Sequence, residues 1–186
     1  SWLFLIAYAM TLISNYYTAY MSTLFTVIFF IYRYAVRDDN KSVKDCILKV
    51  LKLAGTGAVC VLLAVVILYP TLLNIFDGKL SSSSGTIVSE FWNQDIFKIP
   101  RRLFGGQYDS ITNSGMPNIF CGMLCGMMTG VFFFNPNIKL RHKIAALAVY
   151  AVMLASFFIA RLDIAWHIFQ YPNWYPYRYA YVFCFF

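Results

Sequence analysis

From Trp2 to Val36 the chain holds one charged residue, Arg33, and that falls near the end of the stretch. As a single straight helix its 35 residues would run about 52 Å. That is well beyond a hydrocarbon core of roughly 30 Å, yet too short for two full crossings. The polar insert Ser14-Asn15-Tyr16-Tyr17-Thr18 is the natural break. The pattern therefore predicts a short helix over 2–13 and a crossing helix over 16–36. Backbone freed at such a break must be buried in protein or line a water-filled cavity. The Ser14-Asn15-Tyr16 corner is accordingly expected to face into the molecule near a membrane surface.

The rest of the chain repeats this alternation of apolar runs and short charged segments. Charged residues make up 12% of the chain and hydrophobic ones 60%, against about 25% charged in an ordinary soluble domain. The net charge of +7 does not point to nucleic acid, because the cations sit between apolar runs and no RNP, KH or zinc-finger pattern accompanies them. The densest basic segment, Arg33 to Lys52, is assigned to the cytoplasm, as is 135–143 with Lys139, Arg141, His142 and Lys143. Crossings are expected over 53–76, 116–134 and 144–160, and a fifth is begun at 178–186. External loops then cover 77–115 and 161–177, the first with an amphipathic stretch, Glu90 to Phe104, suited to the interface. The predicted fold is an all-α polytopic helix bundle.

Both ends of the chain, Ser1 and the apolar run Tyr181–Phe186, read as cuts within a longer protein, and no cleavable leader is visible. The five cysteines form neither a disulfide framework nor a C-x-x-C motif. No metal site is predicted. Gly122, Gly126 and Gly130, spaced by four, and Ala148, Ala151 and Ala155 read as small-residue faces for close helix approach.

This topology brings three polar clusters to the outer side. The first is Ser14-Asn15-Tyr16-Tyr17. The second is Gly105 to Asp109 with Asn113 to Asn118. The third comprises Asp163, His167, Gln170, Asn173, Trp174 and Arg178. Polar and ionisable residues at membrane depth are functional candidates. Each also has a structural reading. Asp109 lies in a Gly/Asn/Ser-rich loop where turn residues are common, and Asn118 is placed to cap a helix over 118–134. Asp163 and His167, at i,i+4, share a helix face, where a carboxylate would orient the imidazole. Asp109, Asp163 and His167 are the candidate catalytic groups. Arg178 has the planar fork that binds a phosphate bidentately, although an arginine there also snorkels to headgroups. Trp174, flanked by Pro172 and Pro176, offers a stiff face for a sugar ring, or a belt anchor. No Walker loop, G-x-S-x-G or H-E-x-x-H motif is present.

Three segments carry a resemblance: Ile13-Ser-Asn-Tyr-Tyr-Thr-Ala-Tyr-Met21, Gly106-Gln-Tyr-Asp-Ser-Ile-Thr-Asn-Ser-Gly-Met-Pro-Asn-Ile-Phe-Cys-Gly122 and Trp166-His-Ile-Phe-Gln-Tyr-Pro-Asn-Trp-Tyr-Pro-Tyr-Arg-Tyr179. In this order they resemble segments of the bacterial YfhO membrane protein family, and the similarity runs along essentially the whole chain. The resemblance implies a GT-C-type glycosyltransferase-like protein in the cell membrane, with its catalytic centre on the outer face. It implies an undecaprenyl-phosphate-linked sugar as donor and a cell-envelope polymer such as lipoteichoic acid as acceptor. No other cofactor is expected. In such enzymes the catalytic base is a carboxylate near the outer end of the first helices, a region expected upstream of Ser1. Asn15, Tyr16, Asn118, Gln170 and Asn173 are then expected to hold sugar hydroxyls, Trp174 to stack on the ring and Arg178 to meet the departing phosphate. A transporter or flippase of a lipid-linked precursor, and a non-catalytic membrane scaffold, are the competing readings.

Overall fold

The computed structural model describes residues 2–37, 43–74, 96–105, 116–169 and 177–186. The described residues are helical and contain no strand. Three helices are long and apolar enough to cross a membrane: Tyr16–Val36, Lys44–Asn74 and Leu140–Phe158. The chain divides into two compact units, Ser1–Thr23 with Arg37–Ile87, and Leu24–Val36 with Val88–Phe186.

In the first unit, helix α1 (Trp2–Ser14) and the start of α2 (Tyr16–Val36) are separated by Asn15. Its extended backbone interrupts the helix, and its side-chain Oδ1 accepts from the Tyr17 and Thr18 N–H groups at 3.0 and 3.3 Å. Those donors would otherwise be orphaned at the start of a helix. Helix α3 (Val43–Asn74) packs on α1 through small side chains. Ala9, Leu12, Ala19, Cys60 and Ala64 form one buried cluster flanked by Leu5, Tyr8 and Leu68. The Cys60 thiol donates to the Leu5 carbonyl at 3.5 Å. Tyr8 and Thr23 share a side-chain hydrogen bond.

Helix α3 begins at Val43, well before the apolar run at Leu53, and so takes up much of the loop expected over 37–52. Asp45 accounts for the early start. It lies in the first turn of α3, pairs with Lys49 one turn on at 2.9 Å, and also meets Arg37, just past the end of α2, at 2.6 Å. An ion pair at i,i+4 supports a helical turn in which charged and apolar residues alternate.

In the second unit, the segment 116–122 is not helical, and α4 (Met123–Phe134) starts after Gly122. Gly122 has φ +92°, a conformation that suits glycine and would strain other residues. This shortens the crossing expected over 116–134 to 12 residues, about 18 Å of helix. It also removes Asn118 from the capping position, because Gly122 stands there instead. A turn over Asn135–Lys139 leads to α5 (Leu140–Phe158), which starts ahead of the apolar residues at Ile144. The Asn135 side chain accepts from the Asn137 N–H at 2.9 Å and shapes that turn.

Where an external loop was expected from Arg161, the chain bends at the extended residue Ile159 and continues as α6 (Ala160–Trp166). Ala160, Asp163 and Trp166 form the buried face of α6. The last helix, α7 (Ala180–Phe185), starts after Tyr177, whose φ is +61°, rather than at Arg178. Within the loop expected over 77–115, the described part is a 3₁₀ helix, Ile96–Leu103. The remainder of that loop, with Asp109, lies outside the described residues.

The small-residue faces are not all used as expected. Among the described residues, no atom beyond the chain neighbours and the helix's own backbone lies within 4 Å of a Cβ built at Gly122, Gly126 or Gly130. The buried stripe of α5 runs through Ala146, Val149, Met153, Ser156 and Phe157, while Ala148 and Ala151 are exposed. Side-chain size permits close approach, but the position of neighbouring helices decides which face is covered.

Candidate functional site

The polar groups of the second unit converge where α5 breaks into α6 and the chain returns at Tyr177–Tyr179. Tyr179 is fully buried. Its ring lies between Phe157 and Trp166, stacked on each with centroids 5.3 and 4.9 Å apart. Tyr177 and His167 meet it edge-on. The Tyr179 hydroxyl donates to the Ser156 backbone carbonyl at 2.6 Å, near the end of α5. The Ser156 hydroxyl donates to the Val152 carbonyl and accepts from the Trp166 indole N–H at 3.1 Å. Side chains from three segments thus find partners where a helix ends, two of them on backbone carbonyls of α5 and one on the Ser156 hydroxyl.

Asp163 and His167 lie on the same turn of this scaffold. The His167 Nδ1 is 2.8 Å from the Asp163 carbonyl and 3.4 Å from its carboxylate Oδ1. The His167 side chain is wholly buried and that of Asp163 is 4% exposed. Burial lowers the imidazole pKa from its ordinary 6.5. The bond to the Asp163 backbone opposes that shift, and the charge of Arg178 adds to it. The imidazole is therefore held neutral at pH 7. A neutral ring donates from one nitrogen only, so an Nδ1–H bonded to the Asp163 carbonyl would leave Nε2 as the acceptor.

The helix ends in an unusual way. The His167 and Phe169 N–H groups both bond to the Ile164 carbonyl at 3.0 Å. This is a Schellman-type close, in which the left-handed position is normally glycine. Here Ile168 and Phe169 hold it, with φ +57° and +55°. A β-branched residue in that region costs on the order of 1–2 kcal/mol, and such conformations persist only when the surroundings impose them. Tyr177 is also left-handed, so the described residues flanking 170–176 on both sides have positive φ. Gln170, Asn173 and Trp174 lie in that segment, outside the described residues.

Of the other expected site residues, Asn15 caps α2 in the first unit, with Tyr16 as the first residue of that helix. Ser14 and Asn15 are exposed and Tyr16 half-buried, so the corner does not turn inward as expected, its amide being satisfied by the helix start itself. Asn118 is exposed on the extended segment before α4, between buried Pro117 and Ile119. Arg178 is exposed beside the buried cluster and acts on His167 through its charge. Asp163 and His167, the two described members of the candidate catalytic set, are both buried. Sequence reasoning did not single out Ser156, Trp166 or Tyr179. The only available signal was their setting within an aromatic-rich segment.

The same unit contains a second feature, a cleft of about 390 Å³. Aromatic side chains dominate its walls, among them Phe29 and Tyr32 of α2, Phe132 of α4, Tyr150 of α5 and Phe186. Phe186 packs edge-on against both Tyr32 and Tyr150. Among the described residues, no group of three or more His, Cys, Asp or Glu side chains is placed to hold a metal ion.

An all-helical chain with three membrane-length apolar helices and a buried polar cluster at a helix break is a membrane protein. The family model for bacterial membrane protein YfhO matches residues 1–186, and the chain belongs to that family. No curated protein and no solved structure matches it.

Proposed function

We propose that the protein is part of a multi-pass, GT-C-type glycosyltransferase of the cell membrane. In this reading it moves a sugar from an undecaprenyl-phosphate-linked donor to a cell-envelope polymer such as lipoteichoic acid on the outer face. The observation that carries the proposal is the exposed Arg178, next in the chain to buried Tyr179 of the Tyr179–Trp166–His167 cluster, in a chain of this family. The acceptor hydroxyl attacks the anomeric carbon, a carboxylate base takes its proton, and the bond from sugar to lipid phosphate breaks. Arg178 stabilises the negative charge that builds on the leaving phosphate. Asp163 and His167 act as positioning residues that hold the strained turn leading into 170–176. From that segment Gln170 and Asn173 hold sugar hydroxyls and Trp174 stacks on the ring, with Asn118 as a further polar contact. The aromatic cleft supports the same reading, since it is open and walled mainly by aromatic side chains, which suit an apolar lipid chain.

The test is transfer of radiolabelled sugar from an undecaprenyl-phosphate donor by the full-length protein in proteoliposomes. Transfer to an envelope acceptor is the expected result, and failure with every hexose donor offered would refute it. The cleft also suits a transporter of the same lipid-linked precursor. Movement of labelled donor between leaflets without transfer would establish that second reading.

A further inference from the structure

The 3₁₀ helix Ile96–Leu103 plays no part in the proposed chemistry, yet its residues are sorted with a period of three. A 3₁₀ helix has three residues per turn, so positions i and i+3 eclipse. One row, Ile99 and Arg102, is buried, with relative exposures of 5% and 9%. Just beyond it, Gly105 lies where an added Cβ would touch the Phe120 ring at 3.5 Å. The other two rows face outward: Lys98, Arg101 and Phe104 on one, Pro100 and Leu103 on the other. Leu103 and Phe104 are 46% and 60% exposed. The segment 96–105 carries three cations and no acid. The buried row fixes the turn to the body of the second unit. Its outer face then presents cations at one end and large apolar side chains at the other.

Cations in the last turn of a helix also complement its dipole, but that does not account for Leu103 and Phe104 standing exposed next to them. Adjacent basic and large apolar groups are what the boundary between headgroups and acyl chains accepts. We infer that the 96–104 turn is a membrane-interface anchor that binds anionic phospholipid headgroups through Lys98 and Arg101, with Leu103 and Phe104 inserted below them. The partner is a lipid rather than a soluble polyanion, because the apolar pair contributes only if hydrocarbon lies beneath the phosphate. This inference is independent of the glycosyltransferase reading.

The test is native mass spectrometry of the full-length protein in detergent, titrated with phosphatidylglycerol or with phosphatidylcholine. The wild type is expected to retain phosphatidylglycerol preferentially. Lys98→Gln with Arg101→Gln should lower that retention about twenty-fivefold, from about fivefold per surface cation, and leave phosphatidylcholine unchanged. Leu103→Ser with Phe104→Ser should weaken both lipids, and an unchanged elution profile on size exclusion would show that each variant folds. An undiminished phosphatidylglycerol preference in the Lys98/Arg101 variant would overturn the proposal. So would equal binding of long-chain polyphosphate, unaffected by the serine variant, which would identify a polyanion site instead.

Discussion

The α1–α3 contact and the Tyr179 cluster bury side chains of opposite kinds. In the first unit, Ala9, Ala19, Cys60 and Ala64 bring helices together by being small. In the second, Phe157, Trp166 and Tyr179 fill a volume and carry hydroxyl, indole and imidazole groups into it. Lipid is as apolar as a leucine side chain, so helices in a bilayer gain little from burying leucine against leucine and more from close backbone approach. That explains why the first unit can leave its large aliphatics, such as Leu62 and Val66, exposed. The Tyr179 cluster sits where α5 stops and backbone groups lose their helical partners, so it has to supply hydrogen bonds as well as bulk. The first contact holds helices together. The second surrounds a turn whose residues Ile168, Phe169 and Tyr177 have positive φ.

Four substitutions sharpen that contrast. Trp166→Ala removes one of the two rings stacked on Tyr179 and the donor to Ser156, so a loss of about 3–5 kcal/mol is expected, read as a large fall in the thermal midpoint of the purified protein in detergent. Ala64→Leu overpacks the α1–α3 contact and should cost about 1–3 kcal/mol in the same melt. An unchanged midpoint would mean that α1 and α3 do not need close approach. Asn15→Ala deletes the cap of α2, and about 1 kcal/mol should be lost. Asn15→Asp keeps the cap, so a variant with normal stability but poor sugar transfer would reveal a substrate role for the amide.

The smallest effect is one of pH. His167 has a lowered pKa in the folded protein, so below about 6.5 the unfolded chain takes up a proton that the native ring does not. Its contribution to stability is therefore complete above that value and is lost as pH falls toward the folded pKa. A stability profile between pH 7.5 and 5 should slope downward for the wild type and less steeply for His167→Gln. Parallel profiles would mean that another group controls acid stability.

The break at Asn15 was legible because cap chemistry is local: a polar side chain between two apolar runs has donors to satisfy one turn ahead. The i,i+4 spacing of Asp163 and His167 was legible for the same reason, and the structure sets them side by side. The bend at Ile159 was not legible. Phe158-Ile159-Ala160 contains no glycine, proline or polar residue, and the bend is supported by Tyr179, far along the chain, bonding to the Ser156 carbonyl. The start of α3 also lies ahead of the boundary drawn at Leu53, because charged residues are interleaved there with Ile47, Leu48 and Leu51 and Asp45 pairs with Lys49 one turn on. The Gly126 and Gly130 stripe resembled a packing seam, but spacing alone does not say whether a neighbour occupies it, and among the described residues none does.

The central claim is that Arg178 meets the donor phosphate, and one comparison tests it most directly. Transfer from an undecaprenyl-phosphate-linked sugar should be measured in proteoliposomes for the wild type, Arg178→Lys and Arg178→Ala at matched protein levels. Loss of one group that stabilises developing charge typically costs about 10²–10³ in turnover, so the alanine variant should fall by that much, with lysine restoring part of the rate. Equal transfer by all three proteins would contradict the phosphate assignment.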